Sequence, residues 1–567
     1  MMDTTVTQKR LYTLGWFRAL LVWLFLLCAF GSLMGRLYYI QVLHPDFLIQ
    51  EGNERVQRSY VFEPARGLIY DRNGKLLAIS MPVKQVFSDN KLLHEKGVVA
   101  DEALMRKIAA LLELPLEDLK ARTDDPKRRH VRLKQYLDLK KAAELSRLKL
   151  AGLIISDNYQ RYYPTGEANA QVVGLLNGEG RGVLGVERSF NAYLTPSEAL
   201  RTVHQDSTGH IIENLKTEDG KAGGNLMLSI DDRLQSYAYA VLSEEREKRQ
   251  AESATAVMIN VKTGEIMVMV SVPSFDPNDP NGYNDSGARN RAVSDTYEPG
   301  STIKPLIALS ALEAGAVTWN EVIDTRPYIV NGKVIRDTHS MESGTLSDIL
   351  KYSSNTGMAH IAQRMPPEQM VETLARFGFG QLSAARLTGE VRGQINVGRT
   401  FWAEIDKATM GYGYGFTVTA LQMASAYATL ANNGVRLPVT VLKAHAKAQG
   451  QAVASETEVR RVQNALENVV AEGSGRKAAI HRYRIAGKTG TAKIAGLSGY
   501  GNHYLANFAG FAPLSDPRFA LVVAVRDPKG AYYGSQVAAP VFSSIMTRAL
   551  QLYNVAPDRD ETEVKVK

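Results

Sequence analysis

Ser301 and Lys304 stand three residues apart, a spacing that puts both side chains on one face of a helix. A serine hydroxyl is a poor nucleophile until a base takes its proton. A lysine held among apolar side chains has its ammonium form disfavoured and becomes such a base. A helix N-terminus adds partial positive charge where an alkoxide or tetrahedral oxyanion would form. Two more clusters carry complementary groups. Ser353-Ser354-Asn355 offers a hydroxyl, on Ser353, to pass protons between Lys304, Lys488 and a leaving amine, and an amide, on Asn355, to orient a peptide. Lys488-Thr489-Gly490-Thr491 falls on an expected strand, so Lys488 and Gly490 share one side and Gly490 lets a substrate backbone approach the strand edge. Thr489 and Thr491 then point the other way and reach substrate only through a twist, a bulge or backbone contact. The Thr491 and Ser301 N–H groups form the candidate oxyanion hole. Taken singly, each cluster is better explained as a solvated first turn, a polar loop or a strand end. Their order and joint presence point to acyl transfer through a covalent serine ester.

The elements around these residues follow from their neighbours. Proline lacks an N–H and clashes with a preceding helical carbonyl, so Pro305 restricts its helix to a start near Ser301. Leu306, Ile307, Leu309 and Leu312 make that helix apolar on most of its surface, and Gly315 ends it. The segments 254–260 and 265–272 read as a hairpin, strand character returns at 483–492, 504–511 and 519–526, and 540–553 reads as a closing helix. Strands from both ends with helices inserted between them describe one α+β domain whose sheet is completed late in the chain. Upstream, residues 66–78 read as strand, Asn-Gly turn and strand. Residues 101–150 carry a charged helical pattern, the glycines from Gly174 to Gly185 read as turns, and 220–224 reads as a flexible boundary.

The chain has 567 residues, 67 basic and 59 acidic, which suits two folded domains and gives only a mild positive excess. With no finger, helix-turn-helix or long basic run, nucleic-acid binding is not expected. Ten histidines and the single Cys28 lack any metal-ligand spacing, and neither metal nor organic cofactor is expected. Residues 19–40 are apolar, with Lys9, Arg10 and Arg18 before them and Trp16, Tyr38 and Tyr39 at the margins. That pattern is expected of a retained membrane anchor with a cytoplasmic N-terminus and an exported remainder.

On the three clusters, and on Arg66-Gly67, Asp71-Arg72-Asn73-Gly74, Arg161-Tyr162-Tyr163-Pro164, Gly185-Val186-Glu187, Gly413-Tyr414-Gly415 and Tyr532-Tyr533-Gly534, the sequence resembles the class B penicillin-binding proteins, most nearly their FtsI-type cell-division D,D-transpeptidases. The resemblance covers nearly the whole chain. It implies a cytoplasmic tail at 1–18, an anchor at 19–40 and a periplasmic pedestal at 41–222. A transpeptidase domain at 223–555, an antiparallel sheet sandwiched by helices, and a disordered tail at 556–567 complete the expected layout. It implies that Ser301, assisted by Lys304, Ser353, Asn355 and Lys488, attacks the bond between the terminal D-alanines of a peptidoglycan stem peptide. Thr489, Gly490 and Thr491 would bind substrate, with Tyr414, Tyr532 and Tyr533 forming an aromatic wall. β-Lactams would acylate Ser301, and slow hydrolysis is expected because no E-x-x-L-N pattern lies in the corresponding interval. The implied partners are the inner membrane, a SEDS-family glycosyltransferase and other division proteins. An elongation-type transpeptidase, a membrane β-lactam sensor and a division scaffold are the competing readings.

Overall fold

The computed structural model describes residues 15–559 apart from 63, 206–210, 280, 445, 447, 497 and 498. Most of the expected cytoplasmic tail, residues 1–14, and residues 560–567 of the expected C-terminal tail lie outside the described residues. Helix α1, Trp16–Tyr38, continues through one π turn to Leu43 and is long and apolar enough to cross a membrane. It begins three residues earlier than the apolar run, because Trp16, Phe17 and Arg18 continue the helix into the interfacial flank.

The pedestal is built on the strand Leu76–Ser88, which pairs antiparallel with Val131–Leu137 and Leu153–Tyr162. Helices Glu102–Leu112, Leu116–Thr123 and Leu139–Arg147 pack against it through residues such as Ile108, Leu119 and Leu145. The expected helical run over 101–150 is therefore interrupted by a strand. Val131, Leu133 and Leu137 are buried there with exposed Arg132 between the first two, a period of two that the surrounding charge obscures.

Three separate stretches of the pedestal converge on one carboxylate. Glu187 is fully buried, accepting from Arg66 Nε at 2.7 Å and from Arg161 Nε at 2.7 Å. Arg66 also reaches Thr195 Oγ1, Asn191 Oδ1 and the Glu187 carbonyl. A buried charge is tolerated only when it is paired and hydrogen-bonded in this way, so these residues hold the pedestal together. The 220–224 stretch is not a loose joint. A Cβ on Gly223 would lie 1.8 Å from the Leu194 carbonyl oxygen, so the glycines permit tight backbone packing rather than freedom. The Asn-Gly turn near residue 73 also docks onto the second domain, with Lys75 paired to Asp232 and Arg72 to Glu265.

The second domain carries a five-stranded antiparallel sheet. Strands β1 (Ser253–Asn260) and β2 (Ile266–Val272) precede the helices in sequence, whereas β3 (Ala486–Gly496), β4 (Gly499–Ala512) and β5 (Phe519–Arg526) follow them. Their spatial order is β2-β1-β5-β4-β3, which places β3 at an edge. Alternate residues feed two cores. Val257, Ile259 and Val522 face helices α3 (Lys304–Glu313), α4 (Leu346–Tyr352), α5 (Asn355–Gln363), α6 (Ala420–Ala431) and α7 (Glu456–Ala471). Ala256, Met258 and Val523 face α8 (Ala538–Leu552) and α2 (Asp232–Lys248). The first part of the C-terminal tail is held in place, contrary to the expected disorder from 556: the Asp558 carboxylate accepts from the Arg484 and Ser515 N–H groups.

Candidate active site

Helix α3 begins as the proline requires, but one turn later than Ser301. Gly300–Ile303 forms a 3₁₀ turn, α-helical bonding starts at Lys304, and Pro305 occupies the first turn. Every residue from Lys304 to Ala311 is buried. Ser301 is half-buried on the 3₁₀ turn, among the first N–H groups, which have no intrahelical acceptor. Four contacts lock that turn. Gly300 N–H donates to the Gly413 carbonyl at 3.0 Å, Asn507 Nδ2 to the Pro299 carbonyl at 3.2 Å, Thr302 Oγ1 to the same carbonyl at 2.8 Å, and Tyr427 Oη to the Thr302 carbonyl at 2.7 Å.

Lys304 points from α3 to the junction of α4 and α5. Its Nζ lies 2.7 Å from the Ser353 carbonyl oxygen, 2.8 Å from Asn355 Oδ1 and 3.3 Å from Ser353 Oγ. A neutral amine has two N–H groups and a lone pair. The two short contacts satisfy the N–H groups and leave the lone pair for a hydroxyl proton. Burial, reinforced by the charge of Lys488 and opposed by that of Asp337, holds the Lys304 ammonium well below its ordinary range. Ser353 presents both its carbonyl and its hydroxyl because it ends α4 in the left-handed conformation, φ 63°. Ser354 then caps α5, accepting from Gly357 N–H.

Asp337 anchors this junction and lies outside the three clusters that the sequence singles out. Its Oδ1 accepts from the Asn355 and Thr356 N–H groups and its Oδ2 from the Ser354 and Thr356 hydroxyls. A carboxylate at the first N–H groups of a helix is favoured by the helix dipole as well as by hydrogen bonding.

Strand β3 supplies the third cluster. Lys488 is fully buried, its Nζ donates to the Thr489 carbonyl at 3.2 Å, and burial lowers its ammonium to about 7. Lys493 N–H donates to Tyr414 Oη at 3.2 Å rather than to β4. In an antiparallel ladder alternate residues direct both backbone groups to the same edge, so Thr491 and Thr489 also turn theirs to the open side. Among the described residues no strand pairs along that edge. The Thr491 N–H is thereby available to an oxyanion.

The side chains alternate as expected, with a different use for the glycine. A Cβ on Gly490 would fall 1.8 Å from Asn507 Oδ1 and 3.0 Å from Thr302 Cγ2, so Gly490 makes room for the buried asparagine that holds Pro299 rather than for an incoming chain. Thr489 and Thr491 lie on the opposite face: Thr489 Oγ1 is 3.0 Å from Ser474 Oγ, and Thr491 Oγ1 accepts from Gly534 N–H at 3.0 Å. The three tyrosines fall into two groups. Tyr414 meets Tyr412 and Tyr500 edge-on, and Tyr532 stacks on Tyr504 and leans against Tyr533.

A family profile described as the penicillin binding protein transpeptidase domain matches residues 254–547, and one described as the penicillin-binding protein dimerisation domain matches 61–228. Over 537 residues the chain is 41% identical to the peptidoglycan D,D-transpeptidase FtsI of Escherichia coli K12, covering 94% of this chain and 91% of that protein. The chain belongs to the FtsI-type class B penicillin-binding proteins. It is also 33% identical over 544 residues to the probable peptidoglycan D,D-transpeptidase PenA of Neisseria meningitidis serogroup A, covering 95% of this chain and 93% of that one. Among solved structures, a peptidoglycan synthetase from Bifidobacterium adolescentis superposes with a TM-score of 0.68 at 25% identity, covering 89% of this chain and 98% of that one. The transpeptidase domain of penicillin-binding protein 3 from Burkholderia pseudomallei superposes with a TM-score of 0.54 at 35% identity, covering 59% of this chain and 98% of its own. The family's fold is the one expected from sequence, with one N-terminal apolar helix, a dimerisation domain and a transpeptidase domain.

Proposed function

We propose that this penicillin-binding protein is a serine D,D-transpeptidase that cross-links peptidoglycan stem peptides through an acyl-enzyme on Ser301, serving septal wall synthesis in cell division. The observation that carries the assignment is the buried Lys304 amine, one turn beyond Ser301, with its two short contacts on the Ser353 carbonyl and Asn355. Neutral Lys304 takes the Ser301 hydroxyl proton as Oγ attacks the carbonyl carbon between the two terminal D-alanines. The Ser301 and Thr491 N–H groups receive the oxyanion. As the C–N bond breaks, the proton passes through Ser353 to the leaving D-alanine amine, and the acyl group remains as the Ser301 ester. An amine from a neighbouring stem attacks that ester, returns its proton through the same groups and frees Ser301. Asn355 orients the peptide, Gly490 lets β3 close over the Asn507 side chain, and Lys488 with Thr489 faces the substrate carboxylate. Tyr414, Tyr532 and Tyr533 flank the donor chain.

The same chemistry makes β-lactams covalent inhibitors at Ser301. Division rather than elongation is favoured because the relatives above are FtsI and PenA. The layout follows the family: residues 19–40 anchor the chain in the inner membrane with the N-terminus in the cytoplasm, 41–222 form the periplasmic pedestal and 223–555 the catalytic domain. A SEDS-family glycosyltransferase in the same membrane is the expected partner. Fluorescent penicillin should label the wild type stoichiometrically and leave folded Ser301→Ala unlabelled, and stem pentapeptide with an acceptor amine should release D-alanine. Equal labelling of the two proteins would overturn the nucleophile assignment.

A further inference from the structure

The turn after α7 joins two of the catalytic clusters that sequence spacing treats as separate. Glu472 pairs with Lys351 at 2.7 Å, near the end of α4 and two residues before Ser353. Ser474 N–H approaches the Lys351 carbonyl at 3.4 Å, and a Cβ on Gly473 would stand 2.6 Å from that same oxygen, so the turn fits closely against the α4 terminus. From this fixed position the half-buried Ser474 brings its hydroxyl to 3.0 Å from that of Thr489.

A hydroxyl carries one proton and accepts at its lone pairs. If Ser474 donates to Thr489, the Thr489 proton is left for an incoming acceptor, on a residue whose carbonyl the Lys488 ammonium borders. If the direction were reversed, the Thr489 proton would be spent on Ser474. An anion arriving at Lys488 selects the first arrangement, because a chain of hydroxyls ending on a charge polarises in one direction.

We propose that Ser474 is a positioning residue that directs the Thr489 hydroxyl at the carboxylate of the donor peptide, and so sets the preference of the site for a terminal carboxylate. The inference rests on the transpeptidase reading and adds to it a residue outside the three motif clusters. Its scale is that of one neutral hydrogen bond, about two- to ten-fold in rate.

The test uses the full chain in detergent and measures second-order acylation of Ser301 by a penicillin and by its methyl ester, which lacks the anion. Ser474→Ala should slow the free acid by roughly two- to ten-fold and leave the ester unchanged. Ser474→Thr should restore the free-acid rate, and in a Thr489→Val background Ser474→Ala should have no further effect. Equal slowing of acid and ester would assign Ser474 a purely structural role and overturn the proposal, as would an unchanged acid rate. Absence of any labelling that Ser301→Ala removes would overturn the transpeptidase reading itself, and this proposal with it.

Discussion

Replacing Asp337 with asparagine removes one negative charge from beneath the Ser353–Asn355 junction while keeping the side chain's shape. Four donors converge on the carboxylate, two on each oxygen. The retained amide oxygen can keep the Asn355 and Thr356 N–H groups, and the Ser354 and Thr356 hydroxyls can turn to accept from the new NH₂. A hydrogen bond to a charged group is worth about 1 kcal/mol more than to a neutral one, so the two backbone bonds together lose about 2 kcal/mol. For a domain of this size that lowers Tm by about 3 °C. The second consequence is electrostatic. Asp337 opposes the depression of Lys304, so its neutralisation lowers the Lys304 ammonium further. The base is then free at lower pH, and the rising limb of the acylation profile moves toward acid. Thermal melting and a pH series of fluorescent-penicillin acylation measure both effects on Asp337→Asn. A variant with unchanged Tm and an unmoved rising limb would refute the view that this carboxylate supports the junction and tunes its lysine.

Further outcomes rest on the same geometry. Acylation by a free-acid penicillin should be bell-shaped in pH, rising as Lys304 deprotonates and falling as Lys488 loses its charge at about 7; Lys488→Gln should remove the falling limb, and a wild-type profile flat through neutrality would contradict the assignment. The Lys488 group also links pH to stability: its folded pKa of about 7 lies below its unfolded one of about 10.4, so the unfolded chain binds more protons between them and wild-type stability should rise with pH across that window; Lys304, also depressed, adds to the rise, so Lys488→Met should make it shallower in melting curves without abolishing it. Gly490→Ala would thrust a methyl to within 1.8 Å of Asn507 Oδ1. It should cost about 1–3 kcal/mol through overpacking and slow acylation as Asn507 leaves the Pro299 carbonyl, whereas an unperturbed Tm would show that Asn507 is not held there.

The parts of the site legible in sequence were those whose chemistry restricts residue type. A serine, a lysine three residues on and a strand bearing Lys488 leave a recognisable spacing, and Pro305 located the helix start to within a turn. Asp337 left no such trace, since its partners include backbone N–H groups, which nearly every residue possesses, and it lies 17 residues from Ser354. Asn507 was hidden for a related reason: on β4 it reads as one polar residue in an apolar strand, and only its register opposite Gly490 explains both. Ser474 stands between Gly473 and Gly475, with no neighbour whose spacing points to Thr489. In the pedestal, Arg66, Arg161 and Glu187 were visible as separate stretches, but 121 residues separate Arg66 from Glu187 and nothing local joins them.

Burial explains how one fold keeps two lysines from acting as ordinary cations. An exposed lysine would stay protonated at neutral pH and serve only as a cation. Lys304 extends from a helix whose first eight residues are all buried, and its nearest acceptors are a carbonyl and an amide rather than a carboxylate. A carboxylate in direct contact would favour the ammonium and disable the base. Asp337 instead contacts the Ser354–Thr356 segment, and its charge reaches Lys304 only as a counterweight to desolvation. The junction thus separates two tasks that one ion pair could not perform together. The carboxylate fixes the positions of Ser353 and Asn355, and the apolar surroundings of α3 set the protonation of the amine they hold.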